Sequence, residues 1–410
     1  MVDSANSERR FKLRFKSPAS LQAAMAFESP NAEPVVVNEK RGYVSFAAPA
    51  NVVTPMAEAA RVERLAAGLS ELADEFGAEL VEDYQYEIDL SEPDVLSDAP
   101  DTAEEGTLGK VIAMIGADRA WALSRGAGVV IAIVDTGVDG SHPEFPATRR
   151  SGGWAIPGDD PWTDYQGHGT MCACIAAAGG NRYQGVAPEA KLMPCKTRFY
   201  DSELGLIYDA LSARAAAGER IVASNSFGRK IGTPPPDPTE SDFLPALDDA
   251  VAAGVVVVFS AGNNHALAGG VPAGCNPTSI WLHKCRADVA AVATCDLDRA
   301  MWYYSSRGPG QHHGQLATNQ KPDVTAPTPR NGKVLYGPSE RVLANGWGTS
   351  GACPQVASLA ALILSRDPAL DHAGVFDLIR DTAIAMGHGH NCEGRGLIDC
   401  YAALAAMAVA

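Results

Sequence analysis

Five short apolar runs, at 129–134, 192–197, 221–225, 255–259 and 289–294, alternate with segments of helical spacing at 170–178, 204–217 and 243–253. Runs that are apolar along their whole length belong to strands covered on both faces, because a strand with one wet face alternates polar and apolar residues. Strands joined through helices pair in parallel. The chain is thereby confined to an α/β fold, a parallel sheet flanked by helices. Such sheets bind ligands beyond the carboxyl ends of their strands, so polar residues just after an apolar run are the first candidates for chemistry.

Ahead of this region the pattern differs. Residues 11–16 alternate apolar and basic, the period of a half-exposed strand. A helical run follows at 21–27, strand-like pieces at 34–37 and 43–46, and a longer helical pattern at 56–76 with Glu and Arg on its outer face. Residues 79–90 read as a last strand. The order β-α-β-β-α-β predicts a small ferredoxin-like α+β domain over residues 1–90. From 82 to 105 acids are dense and Lys and Arg are absent. Pro93, Pro100 and a Ser/Asp/Ala-rich composition mark 91–108 as an acidic linker, either a solvated tether or a strand and tail laid into a cleft. Residues 109–410 carry the parallel sheet.

Composition narrows the partners. A net charge of −16 over 410 residues argues against nucleic acid or an anionic membrane, and weakly favours a basic substrate. Residues 1–16 are polar and charged, without the apolar core of a secretory signal, and no transmembrane run follows. A cytoplasmic location with reduced thiols is therefore expected, or a secreted one if a leader has been removed. The nine cysteines are odd in number and spread without the density of a disulfide scaffold.

Three polar signals stand where the sheet would put a site. Asp135 ends the first apolar run in Val134-Asp135-Thr136-Gly137, His168 opens a helix in Gly167-His168-Gly169-Thr170, and Ser350 opens another in Gly346-Trp347-Gly348-Thr349-Ser350. Pro354 suits the first turn of that last helix, where a missing N–H costs nothing. A serine hydroxyl becomes a nucleophile when a base accepts its proton, and the base needs a carboxylate to fix its tautomer. Asp, His and Ser in that chain order form one of the known arrangements of such a triad.

From about Gly109 onward the chain resembles the catalytic domain of the subtilisin-like serine proteases, or subtilases. The resemblance rests on Asp135-Thr136-Gly137-Val138-Asp139 with His142-Pro143, on Gly167-His168-Gly169-Thr170 and on Gly348-Thr349-Ser350. Ser260-Ala261-Gly262-Asn263, Ser305-Ser306-Arg307-Gly308-Pro309, the stretch from Lys321 to Pro327 and Gly394-Arg395-Gly396-Leu397-Ile398-Asp399 match further family segments. It implies Ser350 as nucleophile, His168 as base, Asp135 as its orienting carboxylate and Asn263 as an oxyanion donor beside the Ser350 N–H. Ser226, Phe227 and Gly228 would pair with substrate and line its S1 pocket. Asp164 would be either an S2 contact or a loop cap.

The chain departs from the family where Gly351, Cys353 and Gln355 replace the usual Met, Ser and His, and where Cys172 and Cys174 replace small residues. These cysteines read as core thiols, with Cys172 near enough to His168 for sensitivity to mercurials. His388-Gly389-His390-Asn391-Cys392 has zinc-donor types but no fourth ligand, and reads as a solvated loop. Cys275 and Cys285 bracket an insertion and would pair in an oxidising compartment or stay free in a reducing one. The resemblance implies no cofactor for catalysis and no catalytic metal; structural calcium is common in the family, but no carboxylate-dense loop assigns ligands here.

Many subtilases carry a front domain like that expected at 1–90, which packs on the protease and runs its tail through the cleft. By that analogy residues 84–89 lead into the site and cleavage falls within 90–109, with the domain as intramolecular inhibitor; the alternative is a permanent docking domain. The expected function is a serine endopeptidase acting on a restricted protein or precursor peptide. A peptide-binding pseudoprotease and a macrocyclase using the same acyl-enzyme are the rivals.

Overall fold

The computed structural model describes residues 9–25, 32–47, 55–89, 106–180, 183–229, 237–312, 315–316, 319–335 and 340–407. The N-terminal unit runs β1 (Arg10–Arg14), α1 (Pro18–Met25), β2 (Glu33–Asn38), β3 (Tyr43–Ala47), α2 (Pro55–Phe76) and β4 (Glu79–Glu82). Its antiparallel sheet has the order β2-β3-β1-β4. Leu13, Val44 and Phe46 of the sheet meet Leu21, Leu65 and Leu69 of the two helices in one small core.

The stretch expected as one strand at 79–90 is two. β4 pairs with β1, whereas β5 (Glu87–Ile88) leaves the sheet and pairs antiparallel with a strand of the larger unit. The break is held by Asp83, whose buried carboxylate accepts from Ser202 N (3.0 Å), Ser202 Oγ (2.6 Å) and Ser45 Oγ (2.5 Å). Ser202 lies in the first turn of a helix, where free N–H groups favour an anion.

The basic face of β1 is not solvated as its period suggested. Arg10 and Lys12 are buried, facing the larger unit. Arg10 Nη1 meets Glu203 Oε1 at 2.7 Å, and Lys12 Nζ meets Asp201 Oδ2 at 2.9 Å and Asp242 Oδ2 at 2.6 Å. Period two locates the faces of a strand but not what covers them.

After β6 (Gly106–Thr107), α3 (Leu108–Met114) and the short α4 (Ala117–Ala120), the larger unit builds its sheet from β7 (Val130–Asp135), β8 (Lys191–Lys196), β9 (Ile221–Asn225), β11 (Val256–Ser260), β12 (Ala290–Cys295) and the strand Val324–Pro327, with the two-residue β10 (Phe227–Gly228) between β9 and β11. All five pairings are parallel, and the order from one edge is Val324–Pro327, β12, β11, β9, β7, β8. Successive side chains of β7 face opposite layers. Ile131 and Ile133 pack with α5 (His168–Ala177) and α8 (Gly348–Arg366); Val130, Ala132 and Val134 pack with α6 (Asp201–Ala216) and α7 (Phe243–Ala252). Because β8 and β9 flank β7 on opposite sides, the strand order reverses at the end of β7, which opens a crevice beside Asp135.

Pro354 is the seventh residue of α8, not part of its first turn. The thiols also differ from expectation. Cys275 is bonded to Cys392, 117 positions away, while Cys285 is a buried free thiol with Cys172, Cys174, Cys195, Cys295, Cys353 and Cys400. Cys275 and Cys285 are ten positions apart in sequence, but the sulfur of Cys285 points to the Ile280 and Gln311 carbonyls instead. Cys392 is thus unavailable to a zinc site with His388 and His390. Among the described residues no helix is long and apolar enough to cross a membrane.

Candidate active site

β7 delivers Asp135 at its carboxyl end, and α5 begins with His168 directly above it. His168 Nδ1 lies 2.7 Å from Asp135 Oδ1, and both side chains are buried. The same carboxylate oxygen accepts Thr136 N at 2.8 Å. An imidazole whose Nδ1–H is held by a carboxylate keeps Nε2 for a substrate-side proton.

Ser350 sits in the first turn of α8, wholly buried. Its Oγ donates to the backbone carbonyl of Asp89 at 2.7 Å. Asn263, three residues past the end of β11, donates Nδ2 to the same carbonyl at 2.5 Å. The Asn263 amide is oriented by its other end: Oδ1 accepts Thr349 N at 3.0 Å and Thr349 Oγ1 at 2.9 Å, leaving the NH₂ to face Asp89. Gly348 stands between them with φ +64°, and a Cβ there would lie 2.9 Å from Asn263 Nδ2. Thus Ser350 and Asn263 converge on one carbonyl oxygen.

The segment bearing that carbonyl is extended. Asp89 N donates to Ser226 O at 3.0 Å, Phe227 and Gly228 pair with Ile88 and Glu87, and Tyr86 N donates to Phe199 O at 2.8 Å. Residues 86–89 therefore lie as an added strand between β10 and the 198–200 segment. Tyr86 is buried against Phe227, Phe243 and His283, with ring centroids 5.9, 5.9 and 5.5 Å away. The Asp89 carboxylate enters a pocket where it meets Lys284 Nζ at 2.5 Å and Ser260 Oγ. Lys284 carried no sequence signal. It lies in the insertion between Cys275 and Cys285, in no recognisable motif.

Asp164 caps a loop. Its Oδ1 accepts Thr136 Oγ1, Gln166 N and Gly167 N, and its Oδ2 accepts Thr170 N and Oγ1, at 2.7–3.1 Å. Both oxygens help to hold the α5 N-terminus beside β7, as the loop-cap alternative describes.

The subtilase family model matches residues 126–396. The chain belongs to the subtilase family. A calcium-dependent protease of Nostoc sp. (strain PCC 7120 / SAG 25.82 / UTEX 2576) is 34% identical over 330 residues, covering 73% of this chain and 48% of that protein. The chain spans about half the length of this relative and of a second calcium-dependent protease, from Trichormus variabilis (strain ATCC 29413 / PCC 7937). Subtilisin BL of Lederbergia lenta is 29% identical over 68% of this chain and 91% of its own length. The solved structure of MycP1 with its N-terminal propeptide removed superposes with a TM-score of 0.57 over 74% of this chain and 98% of its own, at 24% identity, and so shares the fold.

Within this subtilase the departures from the family pattern are filled locally. Trp347 packs on the Gly351 position. Gln355 Nε2 donates to Pro327 O and Gly351 O, both at 2.8 Å, tying α8 to the edge strand. Cys353 is buried beneath β9 and β11, and burial pushes its thiol up to about 11. Cys172 is closer to the chemistry, with Sγ 3.6 Å from the Ser350 carbonyl oxygen, and burial raises its pKa well above the usual thiol value. Among the described residues, Asp135, His168 and Cys172 are the only group of three His, Cys, Asp or Glu donors within 4.8 Å of one another. A buried N, S and single-carboxylate set does not suit calcium, which takes six or more oxygens.

Proposed function

We propose that this subtilase is a serine endopeptidase using Ser350, His168 and Asp135, and that residues 1–89 are its intramolecular inhibitor. The observation that carries the reading is the seat of the Asp89 carbonyl, against both Ser350 Oγ and Asn263 Nδ2 at the end of a strand paired with Phe227–Gly228. A carbonyl so held is a scissile carbonyl in waiting. Ser350 Oγ attacks its carbon while His168 Nε2 takes the hydroxyl proton and Asp135 holds the imidazole by Nδ1–H. Asn263 Nδ2 and the Ser350 N–H receive the charge on oxygen. His168 then gives the proton to the departing nitrogen of Leu90. Water, deprotonated by the same imidazole, releases the carboxylate of Asp89 and restores Ser350.

The bond so assigned, Asp89–Leu90, lies at the N-terminal limit of the region expected from sequence; most of that region, 90–105, falls outside the described residues. We place the N-terminal module at 1–89 and start the catalytic body at 106, since β6 pairs with the strand Gly332–Leu335. The product strand stays in the cleft because the module bearing it is anchored through Arg10 and Lys12. A protease held in this way favours a restricted protein or peptide substrate.

Intact-mass spectrometry of wild type and Ser350→Ala, with and without a fluorophosphonate probe, tests the reading. Wild type should separate into residues 1–89 and 90–410, and should label on Ser350 once the front fragment is removed. Ser350→Ala should remain whole and unlabelled. A wild-type chain that is neither cut nor labelled, with or without residues 1–89, overturns it.

A further inference from the structure

We infer that Lys284 makes this enzyme specific for aspartate on the acyl side of the cleaved bond. The inference rests on the serine endopeptidase reading above and adds the chemical class of its substrates. Lys284 is 3% exposed, and among the described residues its ammonium makes one hydrogen bond, to Asp89 Oδ2 at 2.5 Å. Among the described residues its only ion pair is with the same carboxylate. A buried ammonium without a counter-charge is costly, because the low-dielectric interior replaces neither hydration nor a partner. When residues 86–89 leave the cleft, that partner leaves too. The vacated pocket then presents a cation that an incoming acidic side chain would pair with.

The rest of the pocket fits the same occupant. Ser260 Oγ donates to Asp89 Oδ2, giving the carboxylate a second, neutral donor from the end of β11. Gly228 forms one wall: a Cβ there would lie 2.7 Å from Lys284 Nζ and 2.9 Å from Asp89 Oδ1. Gly262 faces the same oxygen, 3.6 Å from where its Cβ would be. The pocket is therefore short, and the charge sits at the depth reached by a single methylene. Asparagine would offer its NH₂ or a neutral oxygen to an ammonium, and glutamate would carry one methylene too many. The net charge of −16 pointed weakly to a basic substrate instead, since the selecting group is one buried lysine.

Sites built around a buried polar partner reject substrates that leave it unpaired by about 10⁴-fold, whereas one methylene is worth roughly 10- to 200-fold. On fluorogenic tetrapeptides of the form Tyr-Glu-Ile-X, the 90–410 enzyme should have kcat/KM highest at X = Asp. The value should drop by at least about 10²-fold at Asn, and by about 10-fold at Glu. Lys284→Met should lose at least about 10²-fold on the Asp peptide and gain on the Leu peptide, with fluorophosphonate labelling of Ser350 retained. Lys284→Arg, which keeps the charge but reaches further into the pocket, should retain a preference for acids with Asp still ahead of Glu.

Labelling of Ser350 reports the nucleophile independently of the peptide. An enzyme that labels normally but prefers Phe, Leu or Lys at X overturns the specificity while leaving the endopeptidase reading intact. So does a Lys284→Met variant that labels normally and keeps its preference for Asp. If Lys284→Met fails to fold, the Asp-over-Asn ratio of the unmodified enzyme decides alone: a ratio near one overturns the inference.

Discussion

Pro354 stands four residues after Ser350 in α8 and so deprives the Ser350 carbonyl of its helical donor. That oxygen accepts instead from Ser226 Oγ at 3.1 Å, with Cys172 Sγ at 3.6 Å. The proline thereby converts a helical carbonyl into a link between the Ser350 turn, the Ser226 segment that follows β9 and the His168 helix. Ser226→Ala should leave this buried acceptor with only the weak Cys172 thiol donor, at a cost of about 1–3 kcal/mol. Urea denaturation of the Ser350→Ala chain, with and without Ser226→Ala, measures that loss. In active enzyme the same change should lower kcat more than it raises KM, because it loosens the placement of Ser350 and leaves the Ser226 backbone pairing in place.

A soft metal should exploit Cys172. Burial keeps its thiol protonated, so alkylation by iodoacetamide at pH 8 should be slow even with an empty cleft. Mercuric ion binds thiols by displacing the proton, and here would find Asp135 and His168 donors within 4.8 Å. The 90–410 enzyme should be inhibited stoichiometrically by mercuric chloride and rescued by excess dithiothreitol. Cys172→Ala should retain most of its activity and resist mercury. Equal sensitivity of Cys172→Ala would place the inhibitory thiol elsewhere.

The fold class was readable because buried parallel strands announce themselves as unbroken apolar runs. Asp135, His168, Asn263 and Ser350 were readable as candidates because each sits in a short motif just past a strand or at a helix start. What escaped depends on contacts distant in sequence. Lys12 gave its period correctly, but its partners Asp201 and Asp242 lie about 190 and 230 positions away. Nothing in Trp281-Leu282-His283-Lys284 marks the lysine as a pocket floor, and nothing within an acid-dense run singles out Asp89. The pairing of Cys275 with Cys392 could not be drawn from spacing, since nine cysteines admit many partners. Pro354 was misplaced for a local reason: Gly348 and Thr349 already open the helix, which puts the proline beyond its first turn.

Removing Lys12 should loosen the contact between the two units. Lys12→Met leaves Asp201 buried without its cation and Asp242 with Arg14 alone, and breaking such a pair typically costs about 3–5 kcal/mol. The loss falls on the contact between the two units, not on either core. In the full chain, fluorophosphonate should label Ser350 faster in Lys12→Met than in wild type, and the processed front fragment should separate more readily on gel filtration. Unchanged labelling would mean that the strand in the cleft holds the module without help from β1.

The contribution of the Arg41–Asp209 pair to docking should weaken in acid. Burial alone would raise the Asp209 pKa, but hydrogen bonds from Arg41, Lys40 and Asn38 outweigh it and hold the carboxyl below its usual value. Arg41 Nη2 lies 2.7 Å from Asp209 Oδ1 and reaches Asp249, whose carboxyl is lowered first by its Lys40 hydrogen bond and then by Arg41. A carboxyl with a lowered pKa contributes stability that is present above its unfolded value, near about 4, and is lost as pH falls through the lowered one. Asp83 and Asp242, raised chiefly by burial, act in the opposite sense. The comparison must therefore be made against a variant that removes only the Arg41 contribution. In the Ser350→Ala background, Arg41→Ala should be less stable than its parent at pH 7 by urea denaturation. The gap should narrow as the pH is lowered below about 4, where Asp209 takes up its proton. A gap that is constant across that range would show Arg41 acting through packing and not through charge.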